Sequence, residues 1–142
     1  MGWDLYARRG SGYFRVSLYG WPRLALALSF LGADTERMAS DNSGKYVPAA
    51  VARQWAEAIE QGIDDLRMAI VRDSMCKDKE GYFVVPRRYE KKDITQLLKD
   101  YYGAKECRNH GLLRIVPLSR DHRRFLMGFA RFCRDSGGFY QW

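Results

Sequence analysis

Arginine and lysine carry the clearest chemical signal in this 142-residue chain, and they fall into two clusters. Arg87 and Arg88 precede Tyr89, and Lys91 and Lys92 follow it. Arg120, Arg123, Arg124, Arg131 and Arg134 recur through a later segment whose apolar residues have helical spacing. On such a helix Arg120, Arg124 and Arg131 share one face, with Arg123 beside it, opposite a stripe formed by Phe125 and Phe129. A guanidinium group presents a planar fork of donors that matches phosphate or carboxylate two bonds at a time. The expected partner is therefore a nucleic acid or an acidic protein surface, and the plainer alternative is a solvated basic face. Asp121 and Asp135 are too few to neutralise the cluster.

Other chemistries are poorly served. The chain has 2 histidines, His110 and His122, which restricts both proton transfer and metal binding. Cys107 and His110 are spaced to supply two metal ligands, but a closed zinc site needs four, and Cys76 and Cys133 stand alone. No nucleophile elbow surrounds any serine, and no cysteine has an obvious histidine partner outside that same pair. Asp64 and Asp65 are adjacent on a helical pattern and so point in different directions. Gly10-Ser11-Gly12 and Asn42-Ser43-Gly44-Lys45 lack the further glycines of a phosphate-binding loop, and both read as turns. No catalytic residue, metal or cofactor is expected; an enzyme acting on nucleotides or phosphoesters would need a site assembled only in space.

Charge patterning supports the emphasis on cations. The chain carries 24 Lys and Arg against 17 Asp and Glu, a net charge of +7. Up to Met75 the signs balance at 9 each; the remainder holds 15 basic and 8 acidic residues and hence the whole excess. Three widely spaced cysteines argue against a disulfide framework and for a reducing compartment, expected to be the cytoplasm. Asp4, Arg8 and Arg9 interrupt any secretory signal, and the apolar run Leu24 to Leu31 is too short to span a bilayer. Aromatic residues reach 14%, and the expectation is that they build the core rather than a base-stacking platform, since few stand beside basic residues at groove-like spacing.

The elements that position these residues follow from periodicity. Trp3 to Arg8 alternates like a half-buried strand, and a helix runs from Trp21-Pro22 to Phe30, stopped at Gly32. Asp34 to Tyr46 is polar and turn-rich. Val51, Trp55, Ile59, Ile63, Leu66 and Ile70 then recur every three or four residues, predicting one long amphipathic helix over 48–73 unless Gly62 divides it. That stripe is long enough to be shared in a homodimer. Tyr82 to Val85 reads as a strand, Asp93 as the N-cap of a helix ending at Gly103, and Leu112 to Val116 as a buried strand. Ser119 would cap the arginine-bearing helix, Gly137-Gly138 would end it, and Phe139-Tyr140 would form a last strand. The expected fold is a single α+β domain over 1–142, with about four helices packed on a small sheet of short strands.

Both ends of the chain show further motifs. Met1-Gly2-Trp3-Asp4-Leu5-Tyr6, Tyr13-Phe14-Arg15 and Trp21-Pro22-Arg23-Leu24 stand near the start, and Asn42-Ser43-Gly44 precedes Val47. Phe129-Ala130-Arg131-Phe132 and Arg134-Asp135-Ser136-Gly137-Gly138-Phe139 stand near the end. Together they resemble a family of small phage and bacterial proteins with an M-G-x-D-x-Y start, a Y-F-R motif, a W-R-P-L-like helix entry and a closing R-x-S-G-G-F. The resemblance covers roughly 1–62 and 123–140; residues 63–118 depart from it as a basic central insert without the family's C-x-x-C knuckles. It implies a phage setting and no established activity. The function expected from it is a non-enzymatic accessory protein that blocks a host defence system, of the anti-CRISPR kind, by binding through the basic half. Direct nucleic-acid binding by the same residues is the alternative.

Overall fold

The last strand of the chain lies inside a sheet rather than at its edge, and the first unit of the fold is built around it. The computed structural model describes residues 2–72, 80–103 and 110–142. These divide into two compact units, Met1–Asp64 with Arg120–Trp142 and Asp65–Ser119.

In the first unit β1 (Gly2–Ala7) and β2 (Tyr13–Ser17) form an antiparallel hairpin, followed by α1 (Gly20–Phe30), β3 (Lys45–Pro48) and α2 (Ala49–Gly62). The chain returns after the second unit as α4 (Arg120–Asp135) and β7 (Gly138–Gln141). Strand order is β2-β1-β7-β3, every pair antiparallel. Alternation sends Leu5, Val16, Val47 and Phe139 to one face, where α1, α2 and α4 pack; all four are buried. Trp55 of α2 lies edge-on to Phe139 at 6.0 Å and stacks near Phe129 of α4 at 6.4 Å. Phe14 is ringed by Phe125, Phe129 and Phe132.

The polar segment between α1 and β3 is fixed by donors reaching out of this core. The indole N–H groups of Trp21 and Trp55 donate to the carbonyls of Ala39 and Asp34, each at 2.8 Å. Gln141 is fully buried; its side-chain oxygen accepts from Ala39 N–H, and its amide donates to Arg37 and Lys45 carbonyls. A loop with few apolar residues of its own is thereby held without a ladder.

The second unit is a three-stranded antiparallel sheet, β5 (Glu80–Pro86), β4 (Leu66–Arg72) and β6 (Leu112–Pro117) in that order, with α3 (Lys91–Tyr102). Phe83, Val85, Ile94 and Leu98 are buried, and Tyr101 and Tyr102 meet the Phe83 ring edge-on.

The α+β class with four helices among the described residues is as the sequence predicts, but several elements differ. The long helix over 48–73 is not continuous: α2 ends at Gly62, a 3₁₀ turn covers Ile63–Asp65, and Leu66–Arg72 is strand β4. A β-carbon at Gly62 would stand 2.4 Å from Leu31 Cδ2, so the close approach of Leu31 explains glycine there. Beyond it, β4 is paired on both sides and reads as a near-continuous apolar run, which helical spacing fits by coincidence. The stripe residues Trp55, Ile59, Ile63 and Leu66 are buried within the chain itself. One small sheet becomes two, and strand β3 lies at the end of the segment read as loop; four residues long and edge-placed, it tolerates Pro48 at its end. The capping box of α3 exists three residues earlier than predicted, with Glu90 as N-cap and Asp93 closing it from N3. Strand β6 is not buried: Leu113 and Arg114 are exposed, and Arg114 forms a two-point ion pair with Glu80 of β5.

Replacing Gln141 by Leu keeps the side-chain volume but strands the Ala39 N–H and Arg37 carbonyl. A loss of about 2 to 4 kcal/mol in urea unfolding is expected from two stranded groups, with faster hydrogen exchange at Ala39. A change below about 0.5 kcal/mol would mean the loop is held by other means.

Candidate functional site

Helix α4 places its arginines as its amphipathic pattern requires. Leu126, Phe129, Ala130 and Cys133 are buried, whereas Arg120, Arg123, Arg124, Arg131 and Arg134 are exposed. The five are not equivalent. Arg134 forms two hydrogen bonds, 3.0 and 2.7 Å, with the carboxylate of Glu60 on α2, and Arg123 pairs with Asp64 at 2.7 Å. Sequence separation hides these acids: they lie 74 and 59 residues away. Among the described residues, no hydrogen bond or ion pair engages Arg120, Arg124 or Arg131. The arginine face is therefore two neutralised positions beside three open ones.

Two shallow grooves flank this open line within the first unit. One, of about 440 Å³, is lined by Glu60, Arg124, Met127, Arg131 and Arg134. The other, of about 510 Å³, runs between α4 and the β1–β2 hairpin and is lined by Arg9, Gly12, Tyr13, Phe14, Arg131 and Ser136. Gly128, Arg131 and Asp135 border both. Arg131 thus connects the helix face to the sheet.

The sheet's outer face holds the residues that sequence reasoning missed. Tyr6 pairs with Tyr13 on one side and Tyr140 on the other, and Tyr140 pairs with Tyr46. One tyrosine from each of the four strands therefore stands in a single cross-strand row, Tyr13-Tyr6-Tyr140-Tyr46. Ring centroids are 5.3 Å apart for Tyr6 and Tyr13 and 4.9 Å for Tyr46 and Tyr140. Tyr13, Tyr6 and Tyr140 are 50%, 47% and 40% exposed. Glycines give neighbouring rings room: a β-carbon on Gly138 would lie 2.4 Å from the Tyr46 hydroxyl, and one on Gly44 would lie 2.3 Å from the Trp142 ring. Trp142 exchanges backbone hydrogen bonds with Asp4 and is itself half exposed. Arg8 donates to the Tyr46 hydroxyl at 3.4 Å. The Tyr13 hydroxyl donates to Asp4, and this bond makes the phenol hold its proton more firmly than usual; Arg15 lies 3.8 Å from the same carboxylate.

The remaining candidates lie elsewhere. Arg87, Arg88, Lys91 and Lys92 are exposed and cluster at the start of α3 in the second unit, with the Arg88 guanidinium 5.5 Å from the Tyr89 ring centre. The two basic clusters thus belong to different units. Cys107 lies outside the described residues, as does Cys76; His110 is buried with its ring stacked on Tyr102 at 3.7 Å. No three His, Cys, Asp or Glu among the described residues are grouped to hold a metal ion. Cys133 is buried and its thiol pushed well up by desolvation, so it is a neutral core residue and not a nucleophile. Burial also lowers the His122 pKa from the ordinary histidine value. No helix among the described residues is long and apolar enough to cross a membrane.

Comparison with family models, curated proteins and solved structures finds no match to the chain. Function must therefore be argued from the site. One signal in the sequence could have exposed the tyrosine row. Tyr6 stands among buried Trp3 and Leu5 at the opposite parity, and Tyr140 stands between buried Phe139 and Gln141. Parity names the outward face of each strand, but strand order and register are needed to align the rings.

The Arg134 pair holds Glu60 below the ordinary carboxylate range. Its contribution to stability is complete above that range and is lost as pH falls through the depressed value. Glu60→Gln should therefore lower the urea midpoint at about pH 7, and the gap from wild type should narrow as pH falls below the ordinary carboxylate range. A gap that widens on acidification would contradict the pairing.

Proposed function

We propose that the chain is a nucleic-acid-binding protein that acts by binding rather than by catalysis. The observation that carries this reading is the line of Arg120, Arg124 and Arg131 on α4, exposed and unengaged among the described residues while Arg123 and Arg134 beside them are paired. Guanidinium groups left open in this way are suited to two-point contacts with phosphate oxygens, each contact releasing a condensed counterion. The sequence's charge asymmetry also changes meaning in the fold. The first unit holds 12 basic and 9 acidic residues and the second 12 and 8, so both units are cationic, by +3 and +4. Each can be attracted to a polyanion, but the first adds grooves and exposed rings to its charge.

Met127 favours a second reading. It is 40% exposed on the wall of the groove lined by Arg124 and Arg131, and an exposed methionine among arginines suits an acidic protein surface. The inhibitor of a host defence system implied by the family resemblance would use the same face.

Salt titration of a fluorescently labelled oligonucleotide tests the first reading. Log affinity should fall linearly with log salt, and Arg124→Ala or Arg131→Ala should each reduce the slope by roughly 0.7 to 1. Arg120→Glu, Arg124→Glu and Arg131→Glu combined should abolish binding while the folded spectrum persists. Absence of binding at low salt would sink the nucleic-acid reading. Capture of a defence effector that the same triple variant loses would then establish the second.

A further inference from the structure

The geometry points to the outer face of the four-stranded sheet as a stacking platform for the unpaired bases of a single-stranded nucleic acid, with Tyr13, Tyr6, Tyr140 and Trp142 as the base-contacting rings. The inference rests on the proposed nucleic-acid function and deepens it, since arginines alone do not choose between duplex and single strand.

The composition of the face is the first support. Strand parity sends Gly2, Asp4, Tyr6, Tyr13, Arg15, Ser17, Tyr46, Pro48, Gly138 and Tyr140 outward. Leu, Ile, Val and Met are missing from this set, although Leu5, Val16 and Val47 fill the inward positions of the same strands. Here there are only rings, small residues and charges. Tyrosine, tryptophan and arginine are also enriched at protein interfaces, so composition fixes the chemistry of the face and charge placement must select its occupant. Tyrosine suits a face that must be wet when empty and still offer an open π-surface when a base arrives.

Dimensions give the second support. Four strands at about 4.8 Å spacing put roughly 14 Å between the outer tyrosines of the row, room for two or three bases laid across a sheet. Trp142 lies one register step away, next to Asp4, so the aromatic surface has width as well as length. The rings in the row are tilted by 41° and 49° rather than stacked on each other, which leaves their faces free to receive a base.

Charge placement is the third, and it selects the occupant. Arg8 stands at the Tyr46 end of the row, and at the Tyr13 end Arg9 and Arg131 line the groove with a single acid, Asp135, so cations outnumber it two to one. Arg15 sits beside Tyr13 on the neighbouring step. Among the outward strand positions named above the one side-chain carboxylate, Asp4, already accepts from Tyr13 and faces Arg15. Cations at both ends of an aromatic row match a strand whose bases lie on the rings and whose phosphates pass beyond them. Arg131 lets the same backbone continue onto Arg124 and Arg120 of α4. Because a paired base hides both its faces in the duplex stack, only a single strand can use the rings. The sugar is not part of the recognition, so oligo-dT and oligo-U should bind alike.

The test uses the full chain with labelled oligo-dT and oligo-U of about a dozen nucleotides, a duplex of the same length, and polyglutamate as a base-free polyanion. Single strands should bind tighter than duplex, and polyglutamate should compete weakly. Tyr6→Ala and Tyr140→Ala should each weaken single-strand binding about fivefold to 100-fold with the salt slope unchanged, while Tyr6→Phe and Tyr140→Phe retain it. Ring-proton resonances of these tyrosines in the wild-type protein should move upfield on titration with oligo-dT, a readout that does not depend on a variant folding. If oligonucleotides bind with an arginine-dependent slope but the alanine variants bind as wild type, or duplex binds equally well, the platform is overturned and the nucleic-acid reading stands. Polyglutamate binding that is equally tight and equally tyrosine-dependent would assign the face to an acidic protein. Failure of every oligonucleotide to bind would overturn both.

Discussion

Insertion of β7 between β1 and β3 is the constraint on which the first unit depends. Its four residues, Gly138 to Gln141, are hydrogen-bonded on both edges. Each performs a separate task. Phe139 packs against Trp55 and Phe132, Gln141 ties down the segment between α1 and β3, and Gly138 leaves space for the Tyr46 ring. Tyr140 faces the opposite way and completes the outer row. Without this strand in the middle, β1 and β3 would not belong to one sheet, and no aromatic surface would span it. Core and site are therefore two parities of one short strand, and a one-residue slip would exchange them.

Electrostatics in the first unit shows why a charge map drawn along the chain differs from one drawn in space. The sequence puts all excess charge after Met75, yet α4 returns to pack on α2, whose Glu60 and Asp64 take up two of its arginines. What remains is narrower than the cluster of five suggests, and more informative. Arg120, Arg124 and Arg131 are singled out by having no such partner among the described residues, and Arg131 borders the groove that leads to Tyr13.

Much of the fold was legible in the residues because several local signals agreed. Alternation marked β1, the Trp21-Pro22 entry and Gly32 marked α1, and the Phe125–Phe129 stripe marked the inward side of α4. Reading failed where the deciding contacts were distant. Leu66 to Arg72 continues a helical stripe in sequence but gains two strand partners in space. Lys45 to Pro48 has too few residues to show a period, and its partner lies at the far end of the chain. Of the site, the α4 arginines were visible from spacing, whereas the sorting of aromatics was not. Tryptophans 3, 21 and 55 and phenylalanines 83, 129 and 139 fill the interior, as composition suggests. The tyrosines of the first sheet instead collect outside, because four separate strands each place one at the same register.

Backbone phosphates on Arg131 and Arg124 with bases on Tyr13, Tyr6 and Tyr140 would be a spatial arrangement that affinity measurements reach only indirectly. Photo-cross-linking a single strand carrying 4-thiothymidine or 4-thiouridine, with adducts located by peptide mass spectrometry, tests it most directly. Adducts should fall on Tyr6, Tyr13, Tyr140 or Trp142. Adducts confined to the Arg87–Lys92 cluster of the second unit, with none on the sheet, would contradict it.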